Sequence, residues 1–190
     1  MGFINTLFAF AQQPAKTINI IMEERRLPLA LLGFFFGALS LVILLGLGSF
    51  GGAHRPLTMA FLFFAFFVFN VCVAFFFASS AHLFLELTTG KGKAAGLFVL
   101  IGISEFAKTL LAAYALVAAV LPWIALYRSL AIFLTLLLQL FFILYMMKAV
   151  YGLSKLRTFF ALLLSFLPSI VSFFAAAFLF FFLIFWLFFK

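Results

Sequence analysis

The stretch GLFVLIGISEFAKTLLAAYALVAAVLP, from Gly96 to Pro122, decides the fold of this chain. About 27 almost entirely apolar residues are enough for a tilted helix to cross a hydrocarbon core of about 30 Å. Glu105 and Lys108 nevertheless lie inside it, where each charge costs about 2.5–3.5 kcal/mol. Because residues three apart are neighbours on a helix, the two charges can partly neutralise each other. We therefore expect other helices to cover this face.

The composition of the whole chain is that of a membrane protein. Of its 190 residues, 69% are hydrophobic and 8% are charged, and the mean hydropathy is +1.40. A soluble domain is about 45–50% apolar and about 25% charged. The net charge of +8 comes from basic residues at the ends of apolar runs, which indicates membrane topology rather than nucleic-acid binding. Cys72 is the single cysteine, which excludes an intrachain disulfide and a thiolate metal cluster.

The apolar segments predict an all-α membrane protein, a bundle of five transmembrane helices preceded by a short amphipathic interfacial helix. The predicted spans are about residues 27–50, 57–81, 96–122, 130–147 and 158–189. The last run is longer than the roughly 20 residues needed to cross, and we expect Pro168 to kink it. Gly33 and Gly37 form a GxxxG pattern that lets another helix approach closely. Residues 27–190 are thus one membrane domain.

Residues 1–26 form the only amphipathic section. Phe3, Leu7 and Ala11 fall on one helical face, and Pro14 then interrupts the pattern. We interpret this section as a helix lying in the membrane interface or as an arm that binds a partner. The alternative is a simple lead-in to the first span.

The distribution of Lys and Arg predicts the orientation of the chain. With five spans, eight basic residues fall on the side of the N-terminus and three on the other side, a bias that places the larger group in the cytoplasm. We therefore expect a cytoplasmic N-terminus and an external C-terminus. The larger group comprises Lys16, Arg25, Arg26, Lys91, Lys93, Lys148, Lys155 and Arg157, and the smaller one comprises Arg55, Arg128 and Lys190.

Polar residues of four predicted spans fall at one depth. At roughly 1.5 Å per residue they lie about 12–18 Å from the cytoplasmic ends, near the middle of a bilayer. The predicted mid-membrane polar cluster consists of Asn70, Glu105, Lys108, Gln139 and Ser169. Such groups can line a pathway or hold helices together. We favour the structural role, because an Asn, a Gln and an ion pair can satisfy one another without a substrate.

A second group of candidate residues surrounds two predicted basic loops, TTGKGKAAG and KAVYGLSKLR. We expect cytoplasmic contacts from His82, Glu86, Lys91, Lys93, Tyr151, Gly152, Ser154, Lys155 and Arg157. The basic members can meet anionic lipid headgroups at about 1 kcal/mol per charge, although topology alone also accounts for them. His82 and Glu86 are too few for a metal site, so we expect a surface helix end there.

Three features of the chain resemble the Ypt-interacting-protein (Yip) domain family. The first is a Pro-x-Lys-Thr element before the first span, with Pro14, Lys16 and Thr17. The second is the segment HLFLELTTGKGKAAGLFVLIGISEFAKTLLAAYAL, which is similar to the family's hairpin between its second and third spans. The third is YGLSKLRTFFALLLSFLP, which is similar to the element leading into its fifth span. The resemblance covers most of the chain from Pro14 to Pro168, although Ala107 stands where the family often has Pro and Tyr151 where it often has His.

This resemblance implies a compact, prokaryotic-type member in the cytoplasmic membrane, acting in membrane organisation or trafficking-like processes. We therefore expect a non-enzymatic protein that organises membrane or recruits membrane-protein partners, including further copies of itself, and anionic lipids. The alternative is a small permease, lipid scramblase or transporter subunit that uses the polar cluster.

An intramembrane enzyme fits the sequence worst. The chain has no Asp, no HExxH motif and no Gly-x-Ser-x-Gly motif. Ser104 and Lys108 have the i, i+4 spacing of a Ser-Lys dyad. Glu105, however, is the nearer ionic partner of Lys108, and a paired ammonium is a poor base. We expect no catalytic, cofactor-binding or metal-binding residues.

Overall fold

The computed structural model of the chain describes residues 27–48, 56–89 and 93–188, together with positions 12, 17, 18 and 20. This part is helical, without a strand. Its helices are α1 (Leu27–Gly48), α2 (Pro56–Thr89), α3 (Ala94–Ser104), α4 (Thr109–Val120), α5 (Arg128–Tyr151) and α6 (Lys155–Phe188). A 3₁₀ turn, Glu105–Lys108, joins α3 to α4, and a second one, Pro122–Tyr127, precedes α5. We call the unit Ala94–Val120 the third span.

Five helical stretches of the described residues are long and apolar enough to cross a membrane. They are Leu27–Leu47, Pro56–Glu86, Ala94–Val120, Trp123–Tyr151 and Lys155–Ala175. The predicted all-α class and the five candidate spans are therefore confirmed for this part of the chain, and they indicate a multi-pass integral membrane protein. The prediction of a loop beginning at Lys148 is wrong, because α5 continues to Tyr151. Helix α2 continues past His82 and Glu86, where a helix end was expected, to Thr89.

The third span is the central element of the bundle. Within its most apolar window 67% of the residues are buried, against 17% for α2 and 22% for α6. It packs along α1 and also contacts α2 and α5, while α6 packs on α2 and, less extensively, on α5. Glu105 is 4% exposed and Lys108 is 7% exposed. The expectation that other helices cover the charged face is confirmed.

Small residues let α1 approach the third span closely. A Cβ atom at Gly33 would collide with the carbonyl oxygen of Gly102, and one at Gly102 would lie 2.6 Å from the Cβ of Ala30. Farther along the same contact, Gly37 lies against Glu105. The two helices therefore run in the same direction, and the GxxxG pattern works as predicted.

The last helix is continuous through Pro168. Helix α6 has 34 residues, so the predicted single run is confirmed. Proline provides no backbone N–H for the helix. On either side of it, the Ser165 hydroxyl donates to the Ala161 carbonyl at 2.6 Å and the Ser169 hydroxyl donates to the Ser165 carbonyl. Such local bonds from serine are common where membrane helices contain proline.

The connection between α5 and α6 is shorter than the predicted loop. It contains three residues, numbers 152–154, and Gly152 has a left-handed φ of 65° that ends α5. Its backbone N–H donates to the carbonyl of Lys148 at 3.0 Å. Tyr151, Lys155 and Arg157 are thus at helix ends rather than in a loop, which corrects the prediction.

The predicted interfacial helix, residues 1–26, lies almost entirely outside the described residues. Of the positions described there, Thr17 and Ile18 are buried, and Ile18 belongs to the main apolar core. The interfacial helix therefore stays a prediction.

Candidate functional site

The carboxylate of Glu105 is the centre of a buried polar cluster. The ammonium of Lys108 lies 3.0 Å from its Oε1 and 2.7 Å from its Oε2. The side-chain amide of Gln139 on α5 donates to Oε1 at 2.6 Å, and that of Asn70 on α2 donates to Oε2 at 3.3 Å. Four of the five predicted cluster residues therefore meet at one carboxylate. We call Asn70, Glu105, Lys108 and Gln139 the Glu105 cluster.

The 3₁₀ turn explains why the ion pair is close. In a 3₁₀ helix the side chains at i and i+3 eclipse, so Glu105 and Lys108 project in nearly the same direction. Two hydroxyls flank the turn: Ser104 donates to the carbonyl of Ile101 and Thr109 to that of Phe106, both at 2.7 Å. These i→i−3 bonds match the tighter winding of the segment.

Gly37 makes room for the carboxylate. A Cβ atom at this position would lie 2.7 Å from Oε2 of Glu105 and 3.3 Å from its Cβ. The cluster therefore touches α1, α2, the third span and α5 at once. Sequence reasoning identified the glycine pattern but not this role, because the pattern shows only that a helix can come close.

Ser169 does not join the cluster. It is buried, but its hydroxyl donates to the carbonyl of Ser165 on its own helix. The prediction for this residue is therefore corrected. A serine hydroxyl can donate to a backbone carbonyl of the preceding helical turn. The amides of Asn70 and Gln139 instead bond to a side chain on another helix.

A cavity of about 440 Å³ adjoins the Glu105 cluster. All four cluster residues line it, and apolar residues of α2, α3, α5 and α6 form its walls. Phe69, Leu136 and Phe166 belong to this lining and are 44–50% exposed. The cavity therefore opens on the side of the bundle, at the depth of the buried charges.

A second polar contact joins the ends of α2 and α5. The ring nitrogen Nδ1 of His82 lies 3.1 Å from the hydroxyl of Tyr151, and its Nε2 lies 3.3 Å from Oε2 of Glu86. Tyr151 is 2% exposed, so it faces the bundle rather than the cytoplasm, contrary to the prediction. Sequence reasoning placed the three residues at one end but did not pair His82 with Tyr151, since nothing local connects positions 69 residues apart.

Replacing Tyr151 with Phe is expected to lower the stability of the protein by about 1 kcal/mol, because it removes a hydroxyl that satisfies a part-buried imidazole nitrogen. Thermal unfolding in detergent measures the change. Tyr145→Phe on the same helix is the matched control, since no hydrogen bond of the Tyr145 hydroxyl is found among the described residues. Equal losses in the two variants would contradict a stabilising role for the His82 contact.

Unpaired cations lie at the same end of the bundle. Lys93, Lys148, Lys155 and Arg157 are exposed, and among the described residues no carboxylate lies within ion-pair distance of any of them. Because Leu85, Leu153 and Arg157 line one groove, the end of α2 and the start of α6 are adjacent. We call this the basic end. Lys91 lies outside the described residues, and Gly152 and Ser154 form the turn here.

The candidate Ser-Lys dyad is not formed. Ser104 donates to a backbone carbonyl, and the ammonium of Lys108 contacts the Glu105 carboxylate. The described residues also contain no group of three or more His, Cys, Asp or Glu side chains that could hold a metal ion.

Comparison of the chain with protein-family models, curated proteins and solved structures finds no match of any of the three kinds. The resemblance to the Yip family therefore stays an expectation, and the function must be argued from the geometry of the bundle.

Proposed function

We propose that this chain is a non-enzymatic membrane organiser of the Yip-domain type, a rigid helical body whose basic end recruits partners or anionic lipids. The observation that carries this proposal is that both carboxylate oxygens of Glu105 have donors from within the bundle. Lys108, Gln139 and Asn70 all direct their donors at its carboxylate, so the buried charge is compensated within the bundle.

The distribution of paired and unpaired charge supports the same function. The buried ion pair is enclosed, and both carboxylate oxygens are hydrogen-bonded, so its charge needs no partner from outside the bundle. The exposed cations of the basic end have no such partners among the described residues. Among the described residues, the exposed cations available for recognition therefore lie at one end of the bundle and not at its centre.

Cross-linking in native membranes tests recruitment. The full chain is compared with a variant in which Lys93, Lys148, Lys155 and Arg157 are replaced with Gln, and with Arg128→Gln as a control at the opposite end. We expect the four-residue variant to lose its cross-linked proteins while the control keeps them. Identical cross-linking of all three proteins would contradict recruitment by the basic end.

The organiser function requires the basic end in the cytoplasm. In a Cys72→Ala background, cysteines at Lys93 and Lys155 are expected to resist an impermeant maleimide added to intact cells, whereas a cysteine at Ser129 should react. All three positions are exposed on the protein, so membrane sidedness decides the outcome. Labelling at 93 and 155 without labelling at 129 would reverse the orientation.

A second candidate function is lipid scrambling or transport by a small permease. The observation in its favour is the cavity of about 440 Å³, which opens on the side of the bundle and has the Glu105 cluster in its lining. Polar residues in such a cavity can lower the barrier for a polar group that crosses the apolar core.

Reconstitution separates the two functions. Proteoliposomes containing the chain are assayed for scrambling of a fluorescent phospholipid and for ion flux, beside protein-free liposomes. The organiser function predicts no activity above that of protein-free liposomes. Scrambling or flux that is lost on replacing Gln139 with Leu would favour the second function.

A further inference from the structure

A groove at the basic end has the chemistry of a site for an amphiphile. It has a volume of about 320 Å³ and lies between the end of α2 and the start of α6. Its lining includes Phe84 and Leu85 from α2, Leu153 from the turn, and Arg157, Phe160 and Leu164 from α6. We call it the Arg157 groove.

One charged group stands at the mouth of an otherwise apolar surface. Arg157, Phe160 and Leu164 recur at i, i+3 and i+7, which places them along one face of α6. At about 1.5 Å per residue, this face extends roughly 10 Å from the guanidinium toward the middle of the bundle. The polar part is therefore at the helix end and the apolar part lies deeper.

The charges around the groove favour an anion. The guanidinium of Arg157 has no partner among the described residues. The backbone N–H of Arg157 donates to the hydroxyl oxygen of Ser154 at 3.4 Å. Lys155 is exposed within the same turn of α6. Glu86, the nearby carboxylate of α2, lies against the imidazole of His82.

We propose that the Arg157 groove binds one anionic phospholipid, with its phosphate on the guanidinium and an acyl chain along Phe160 and Leu164. Arginine presents a planar set of donors that matches the oxygens of a phosphate. Phe160 and Leu164 are 53% and 59% exposed, so they offer apolar surface to an acyl chain next to the guanidinium. The inference rests on the proposed function and deepens it by assigning the anionic lipid of the basic end to one defined site.

Native mass spectrometry of the purified full chain tests this site. The protein is incubated with equal amounts of phosphatidylglycerol and phosphatidylcholine that carry the same acyl chains. We expect the wild-type protein to retain one phosphatidylglycerol in preference. Arg157→Gln should lower the ratio of bound phosphatidylglycerol to phosphatidylcholine on the order of tenfold, because the guanidinium, which favours a net anionic headgroup over a zwitterionic one with its own cation, is lost.

Two further variants separate a site from general surface charge. Lys148→Gln removes an exposed cation of the same end outside the groove, so it should lower the ratio much less than Arg157→Gln does. Ala161 also lines the groove, and Ala161→Phe should displace the bound lipid while Arg157 is intact. Thermal unfolding verifies that each variant is folded.

Equal losses in Arg157→Gln and Lys148→Gln would overturn the proposal in favour of unspecific attraction. Retention of the lipid by Ala161→Phe, or no preference in the wild-type protein, would also overturn it. If Ala161→Phe keeps the lipid but loses the proteins that cross-link to the wild-type chain in native membranes, the groove is a peptide site and the proposal fails. Lipid binding is measured without a partner protein, so failure of recruitment and failure of this site are distinguishable.

Discussion

Replacing Lys108 with Met is expected to lower the stability of the protein by about 3–5 kcal/mol, the usual cost of breaking a buried ion pair. The change leaves the Glu105 carboxylate without its cation in a site where it is only 4% exposed. The amides of Gln139 and Asn70 remain, but they supply dipoles instead of a positive charge.

Thermal unfolding in mild detergent measures this loss. Lys148→Met is the matched control, because it makes the same substitution at an exposed lysine of the basic end. Glu105→Gln should be destabilising to a similar degree, since it leaves the buried ammonium uncompensated. If Lys108→Met is as stable as the control, the two side chains are not a buried pair, and the third span is not central.

Gly33→Ala is expected to be the next most damaging change, with a loss of about 1–3 kcal/mol from overpacking. The added Cβ would collide with the backbone carbonyl of Gly102, which cannot rotate away as a side chain can. Helix α1 must therefore move away from the third span. That movement would also loosen the contact of Gly37 with Glu105.

The chain offers a control on the same helix. At Gly46 an added Cβ would lie 3.0 Å from the flexible end of the Met59 side chain, which can shift at little cost. Both substitutions gain the same helix propensity of about 1 kcal/mol, so the difference between them isolates the packing effect. Unfolding curves should place Gly33→Ala well below Gly46→Ala. The reverse order would contradict the close contact of α1 with the third span.

The sequence was enough to predict the central helix and the group at its middle. Long apolar runs set the five spans, because a bilayer accepts few charges and each span needs about 20 residues. Glu105 and Lys108 identified the third span as the covered one, since an uncovered pair in lipid would be too costly. Asn70 and Gln139 were predicted as cluster members from their depth alone, because the midpoints of spans of similar length lie at the same level of the bilayer.

Details finer than the pattern of apolar runs could not be predicted. Periodicity did not indicate the 3₁₀ turn, because its four residues read equally well as α-helix. The predicted end of α5 was too early, because a lysine at position 148 suggested the start of a loop. In the structure the helix continues to Tyr151, whose hydroxyl contacts the imidazole of His82. Ser169 lies at the right depth, yet its own helix satisfies its hydroxyl.

The double variant Glu105→Gln, Lys108→Met tests the central claim, that Glu105 and Lys108 form one buried pair whose charges compensate each other within the bundle. Its thermal unfolding is compared with that of the wild-type protein and of both single variants. A neutral pair should recover most of the loss, because Gln139 and Asn70 can still bond to an amide at position 105. A double variant as unstable as the sum of the two single changes would contradict the claim.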